Sequence, residues 1–151
     1  MRNRGCLNTP LLVTAYMADI EMFTALINYN ANIELRNHFG MDVFMIAAYY
    51  GHSHYLNHLL RLRKYRHMYT NTCHSGKTAL MYAVMNNSTG NKTAVKLLID
   101  KGFDPSTTDN EGQTAGQIAL ENELHDMVQL LKRKKGTSFI SLIYFPPFFV
   151  S

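Results

Sequence analysis

Helix-length segments with an apolar side recur along the chain, and each recurrence opens on a residue that caps helices. Thr9, Asp42, Thr78 and Thr114 stand 33, 36 and 36 residues apart. Each precedes a short segment with small residues at one place: Ala15, Ala47-Ala48, Ala83 and Ala119. A second segment follows with an apolar pair: Leu26-Ile27, Leu59-Leu60, Leu97-Leu98 and Leu130-Leu131. Threonine and aspartate suit an N-cap, because the side-chain oxygen accepts a bond from a free amide of the first turn. Pro10 fits the first helical position, where a missing N–H costs nothing. The pattern predicts pairs of helices brought close by alanine, with the leucine pairs buried against the next unit. Polar stretches ending in glycine, ELRNHFG (34–40) and PSTTDNEG (105–112), supply the turns. One such pair cannot bury its own apolar face, so the units must stack.

The segments TPLL (9–12), AAYYGH (47–52), GKTAL (76–80), KLLIDKGFDP (96–105), DNEGQTA (109–115) and VQLL (128–131) resemble the ankyrin repeat family over residues 8–136. The resemblance implies an all-α helix-turn-helix solenoid with short β-hairpin-like turns between repeats. The repeats would fall near 8–40, 41–76, 77–112 and 113–136, between an N-terminal extension (1–7) and a hydrophobic tail (137–151). The chain departs from the family pattern where a histidine is usual after Thr-Pro-Leu: Leu12, Met45, Met81 and Gln117 stand there. Asp42-Val43 replaces Thr-Pro in the second unit. These losses are expected to loosen hydrogen bonding between units without changing the fold.

The resemblance also implies a role as an adaptor or scaffold binding another protein at the turn tips and at first-helix positions after the alanines. Those first-helix positions are Tyr16-Met17, Tyr49-Tyr50, Met85-Asn86 and Glu121-Asn122. The turn positions are Arg36, His38, Phe39 and Met41, then His74, Ser75 and Lys77, then Asn110, Glu111 and Gln113. This surface runs from aromatic and apolar in the first two units to polar and acidic in the last. Tyr49 and Tyr50, flanked by Phe39 and Met41, read either as a binding hot spot or as packing that fills space between units.

Composition narrows the class. With 46% apolar and 17% charged residues the chain is globular, not disordered. Its net charge of +4 is concentrated: residues 61–77 hold three Arg and two Lys with no acid, and Lys132-Arg133-Lys134-Lys135 forms a second cluster. From Leu59 to Gly76 is seventeen residues, against fourteen from Leu26 to Gly40. RLRKYRHMYTNTCHS (61–75) is therefore a helix end plus a lengthened turn, an exposed and irregular joint. No glycine marks a stop, so the helix either runs on or gives way to a loose loop. Arg61, Arg63, Lys64 and Arg66 form its basic patch. Three readings stand: a solvated helix end, a site for an acidic protein partner, or nucleic-acid contact or nuclear import. A nucleic-acid face calls for a broader stripe, and residues 78–131 are net acidic.

His54, His58, His67 and Cys73-His74 supply only half of a zinc pattern, so no metal site is expected. There is no phosphate loop, no nucleophile elbow and no pair of carboxylates beside a base, so neither enzyme activity nor a cofactor is expected. Cys6 and Cys73 make no disulfide framework and favour a reducing compartment. The absence of a signal-like N-terminus points to an intracellular protein, cytoplasmic or nuclear, and not a secreted one. FISLIYFPPFFV (139–150) is too short to span a bilayer and is broken by Pro146-Pro147. The tail could fold back, dock on a partner, support a membrane-associated adaptor, or be an unrelated extension. LLVTAYMADIEMFTALI (11–27) is apolar nearly all round, which implies a missing upstream element or self-association there.

Overall fold

The computed structural model describes residues 8–86 and 91–133, and every regular element among them is helical. In order these are α1 (Pro10–Met17), α2 (Ile20–Asn28), α3 (Val43–Tyr49), α4 (Ser53–Arg61), a 3-10 segment (Arg63–Thr70), α5 (Ala79–Met85), α6 (Asn91–Lys101), α7 (Ala115–Glu121) and α8 (His125–Arg133). The N-terminal extension, Lys134-Lys135 and the 137–151 tail lie outside the described residues.

All four capping residues act as expected. The amides of Leu12, Met45, Met81 and Gln117 donate to the side chains of Thr9, Asp42, Thr78 and Thr114. In the last unit the Gln117 side chain returns the bond, accepting from the Thr114 amide at 2.8 Å. Leu12, Met45 and Met81, which stand where the family carries histidine, are buried and serve as core residues instead.

The first helices pack side by side in the order α1, α3, α5, α7, and the second helices α4, α6 and α8 form the layer behind them. Ala15, Ala47, Ala48, Ala83 and Ala119 are fully buried at the close approaches. Phe23, Phe44, Tyr55, Leu56, Leu59, Leu80, Leu98 and Leu131 fill the space between layers. Each such side chain contributes about 1.5–3 kcal/mol by leaving water. Of the predicted apolar pairs, Leu59-Leu60 is buried whole, Leu97-Leu98 and Leu130-Leu131 bury the second residue more deeply, and Leu26-Ile27 is half-buried. Val13, Tyr16, Met17, Met22 and Tyr29 of the first unit remain exposed.

The turns are hairpin-like, but no strand forms among the described residues. Asn37, Cys73 and Asp109 each donate their amide across the turn, to the carbonyls of Met41, Lys77 and Gln113. Successive turns are then tied tip to tip: the His74 amide donates to the Phe39 carbonyl (3.0 Å) and the Asn110 amide to the Ser75 carbonyl (3.1 Å).

The joint after α4 is neither a longer helix nor a loose loop. Helix α4 stops at Arg61, and residues 63–70 wind into a 3-10 segment kinked at Tyr65. Its far end is anchored, because Met68 is buried and Tyr69 stacks on Phe103 at 4.4 Å between ring centres. A missing stop signal does not by itself prolong a helix; two apolar residues with a place in the core ended this one.

Candidate functional site

Helices α1, α3 and α5, together with the turns around residues 37–41 and 74–75, enclose an open cavity of about 630 Å³. Tyr16, Tyr49, Tyr50 and Tyr82 line it from the helices, and His38, Phe39, Met41 and His74 from the turns. Ile46, Ser75, Met85, Asn8 and Asn37 complete the wall, so no carboxylate of the described residues faces it.

The rings form a connected chain across three units. Tyr16 meets Tyr50 edge-on at 4.8 Å, Tyr50 meets Tyr49 at 5.1 Å, and Tyr49 meets Tyr82 at 6.1 Å. His52 stacks beneath Tyr50 and places its Nε2 3.0 Å from the Tyr16 carbonyl oxygen, to which it must donate. The rings pack between units, and Tyr50 still presents 39% of its surface.

Asn91 was not singled out in the sequence, yet it holds the same place as His52. Its amide donates to the Ala83 carbonyl at 2.7 Å and lies 3.3 Å from that of Tyr49, so it closes the ends of α3 and α5 from full burial. Asn86 adds a bond to the Tyr49 carbonyl at 2.7 Å. The signal was present: Gly51-His52 and Gly90-Asn91 both precede the buried face of a second helix. The correspondence was hidden because Asn91 follows its cap Thr78 by thirteen residues, whereas His52 follows Asp42 by ten.

Cys73 occupies the turn position held by Asn37 and Asp109 in the neighbouring units. In those turns a side-chain oxygen accepts two amides, Phe39 and Met41 for Asn37 and Glu111 and Gln113 for Asp109. The Cys73 sulfur instead lies 3.1 Å from the Ser75 hydroxyl and accepts from the Tyr82 hydroxyl at 3.2 Å. Burial pushes the thiol pKa up, but those two hydroxyls and the amides of Lys77 and Ser75 outweigh it and hold it below the ordinary value.

The sequence-predicted binding residues divide. Tyr16, His38, Phe39, Met41, Tyr49, Tyr50 and His74 come together around the cavity. Arg36 instead donates to the Thr72 carbonyl at 2.8 Å, and the Asn110 side chain to that of His74 at 2.9 Å. Gln113 donates to Glu121 at 2.7 Å, and exposed Glu111 lies outside the cavity lining. Lys77 pairs with the buried Asp109 carboxylate at 2.7 Å. Arg61, Arg63, Lys64 and Arg66 are exposed and also lie outside the cavity lining. Among the described residues no three His, Cys, Asp or Glu side chains are grouped to hold a metal. No described helix is long and apolar enough to cross a membrane.

The Lys77–Asp109 pair makes the stability of the fold depend on pH. Burial pulls the Asp109 carboxyl upward, but the Lys77 ammonium and the amides of Gln113 and Glu111 outweigh it, leaving the pKa below its ordinary 3.8. A depressed folded pKa adds stability that is present above 3.8 and lost as pH falls through the lower folded value. Asp109→Asn keeps the two amide bonds and removes the charge. It is expected to lower stability at pH 7 by about 1–3 kcal/mol and to flatten the acid limb. Denaturant melts of both proteins across the acid range check this; parallel curves would refute it.

The family model for ankyrin repeats, with three copies, matches residues 11–109 and 44–141. The putative ankyrin repeat protein YahD of Escherichia coli strain K12 is 29% identical over 132 residues, 86% of this chain and 64% of its own length. The DNA replication inhibitor plutonium of Drosophila melanogaster is 37% identical over 59 residues, 39% of this chain and 34% of its own. The crystal structure of an ankyrin repeat domain from Acinetobacter baumannii matches with a TM-score of 0.74 and 21% identity, over 82% of this chain and 63% of that one. The chain thus spans about a third of the Drosophila protein and just under two thirds of the other two.

Proposed function

The chain belongs to the ankyrin repeat family, and on that premise we propose that it binds a segment of another protein in the cavity between its first helices and its turn tips, without catalysing a reaction. Ankyrin repeats are in general protein–protein interaction modules. The observation that supports the finer reading is the wall itself: four tyrosines and Phe39 around an open cavity that no carboxylate of the described residues faces. Large rings with a polar edge contribute much binding area at low entropic cost. Such a wall suits a segment that inserts an apolar or aromatic side chain and meets the tyrosine hydroxyls with its backbone.

The test is affinity capture from cell lysate with the wild type and with Tyr50→Ala. Losing the ring contacts to Tyr16, Tyr49 and His52 is expected to cost about 2–4 kcal/mol of stability, less than the roughly 5–15 kcal/mol of a typical domain, so the variant stays folded. Binding of the captured partner is expected to weaken by roughly tenfold or more. Undiminished binding by a folded Tyr50→Ala protein would place the partner elsewhere.

A further inference from the structure

No Asp or Glu occurs between Asp42 and Asp100, a stretch that contains seven Arg and Lys residues. Two of the lysines are committed: Lys77 to Asp109 and Lys92 to Asp126. Four cations crowd into the joint after α4, where Arg61, Arg63, Lys64 and Arg66 are all exposed. The end of a helix accounts for one of them, since Arg61 lies in the last turn of α4, where the helix dipole favours a cation. The other three lie beyond the helix end. The corresponding turn after α6 passes to the next unit through the compact Gly102-Phe103-Asp104-Pro105 with no added cation.

The joint is built as a platform. Buried Met68 fixes its underside, Tyr69 stacks on Phe103 and meets Phe44 edge-on at 5.6 Å, and the Asn71 side-chain nitrogen donates to the Asp42 carboxyl at 3.0 Å. Cations on an anchored turn lose less freedom on binding than cations on a loose loop. The strip is also narrow. Glu34 lies beside it through its 2.7 Å contact with His67, and exposed Asp104 follows Phe103, on which Tyr69 stacks. Four cations within residues 61–66 make a small patch, which suits a short acidic segment better than the broad phosphate face of a nucleic-acid duplex.

We propose that Arg61, Arg63, Lys64 and Arg66 form a second docking surface, separate from the aromatic cavity, for a short run of Asp and Glu side chains in a protein partner. The probe is a fluorescein-labelled oligoglutamate peptide, titrated with the full chain at low and at physiological salt and followed by fluorescence polarisation. The wild type binds, more weakly as salt rises. Arg63→Glu/Lys64→Glu/Arg66→Glu lowers affinity by about tenfold or more. The milder Gln triple, which keeps the size of the side chains, gives a smaller loss in the same direction and serves if the Glu triple does not fold. Tyr50→Ala leaves peptide affinity unchanged, which separates this surface from the cavity. No binding by the wild type, equal binding by a folded triple variant, or tighter binding of a short DNA duplex than of the peptide at the same salt overturns the proposal.

Discussion

Replacing Phe44 with alanine is expected to cost about 3–5 kcal/mol of folding stability. The ring is 1% exposed and sits where three parts of the chain meet. Tyr69 of the 3-10 segment approaches it edge-on at 5.6 Å, and Phe103 of the following turn lies 6.1 Å away. Tyr69 and Phe103 stack on each other, so the site cannot collapse without releasing both. The loss is large against the roughly 5–15 kcal/mol of a typical domain. In a stack stabilised by nearest-neighbour interfaces, it falls on the middle of the array. Urea denaturation followed by circular dichroism measures it, and a loss below about 1 kcal/mol would contradict this packing.

Gly76→Ala is expected to cost about 2–4 kcal/mol, and Gly112→Ala only about 1–2. Both glycines hold a left-handed backbone, with φ of +78° and +77°. A side chain at either is strained by conformation alone. At Gly76 an added Cβ would also lie 2.7 Å from the Asn110 amide nitrogen, while at Gly112 it meets open space. Relief at Gly76 must move Asn110, and that disturbs its bonds to the Ser75 and His74 carbonyls, which tie the second turn to the third. The comparison isolates the close approach from backbone strain. Equal losses in the two denaturation curves would mean that the tips are not held as the structure shows.

The fold was legible because stacking repeats its requirements. A cap at Thr9, Asp42, Thr78 and Thr114, an alanine at each close approach and apolar pairs in the second helices are demands that any one unit makes of its neighbours. The joint at 61–75 was less legible for the same reason. An insertion occurs once, so Met68 and Tyr69 had no second copy to show that their place is in the core. Tyr82 was missed as a cavity residue because it lies between buried Met81 and Ala83 and off the positions that follow the alanines. The turn residues taught the opposite lesson. Lys77, Asn110 and Gln113 carry the polar side chains of a contact surface, yet each is spent on a bond within the chain. Sequence alone does not distinguish a polar side chain that holds a turn from one that awaits a partner.

The measurement that bears most directly on binding in the cavity is amide hydrogen exchange of the chain with and without its captured partner. Protection is expected in the turns at 37–41 and 73–77 and at the C-terminal ends of α1, α3 and α5, with the backs of α2, α4, α6 and α8 unchanged. Protection confined to those second helices, with exchange around the cavity unaltered, would contradict it.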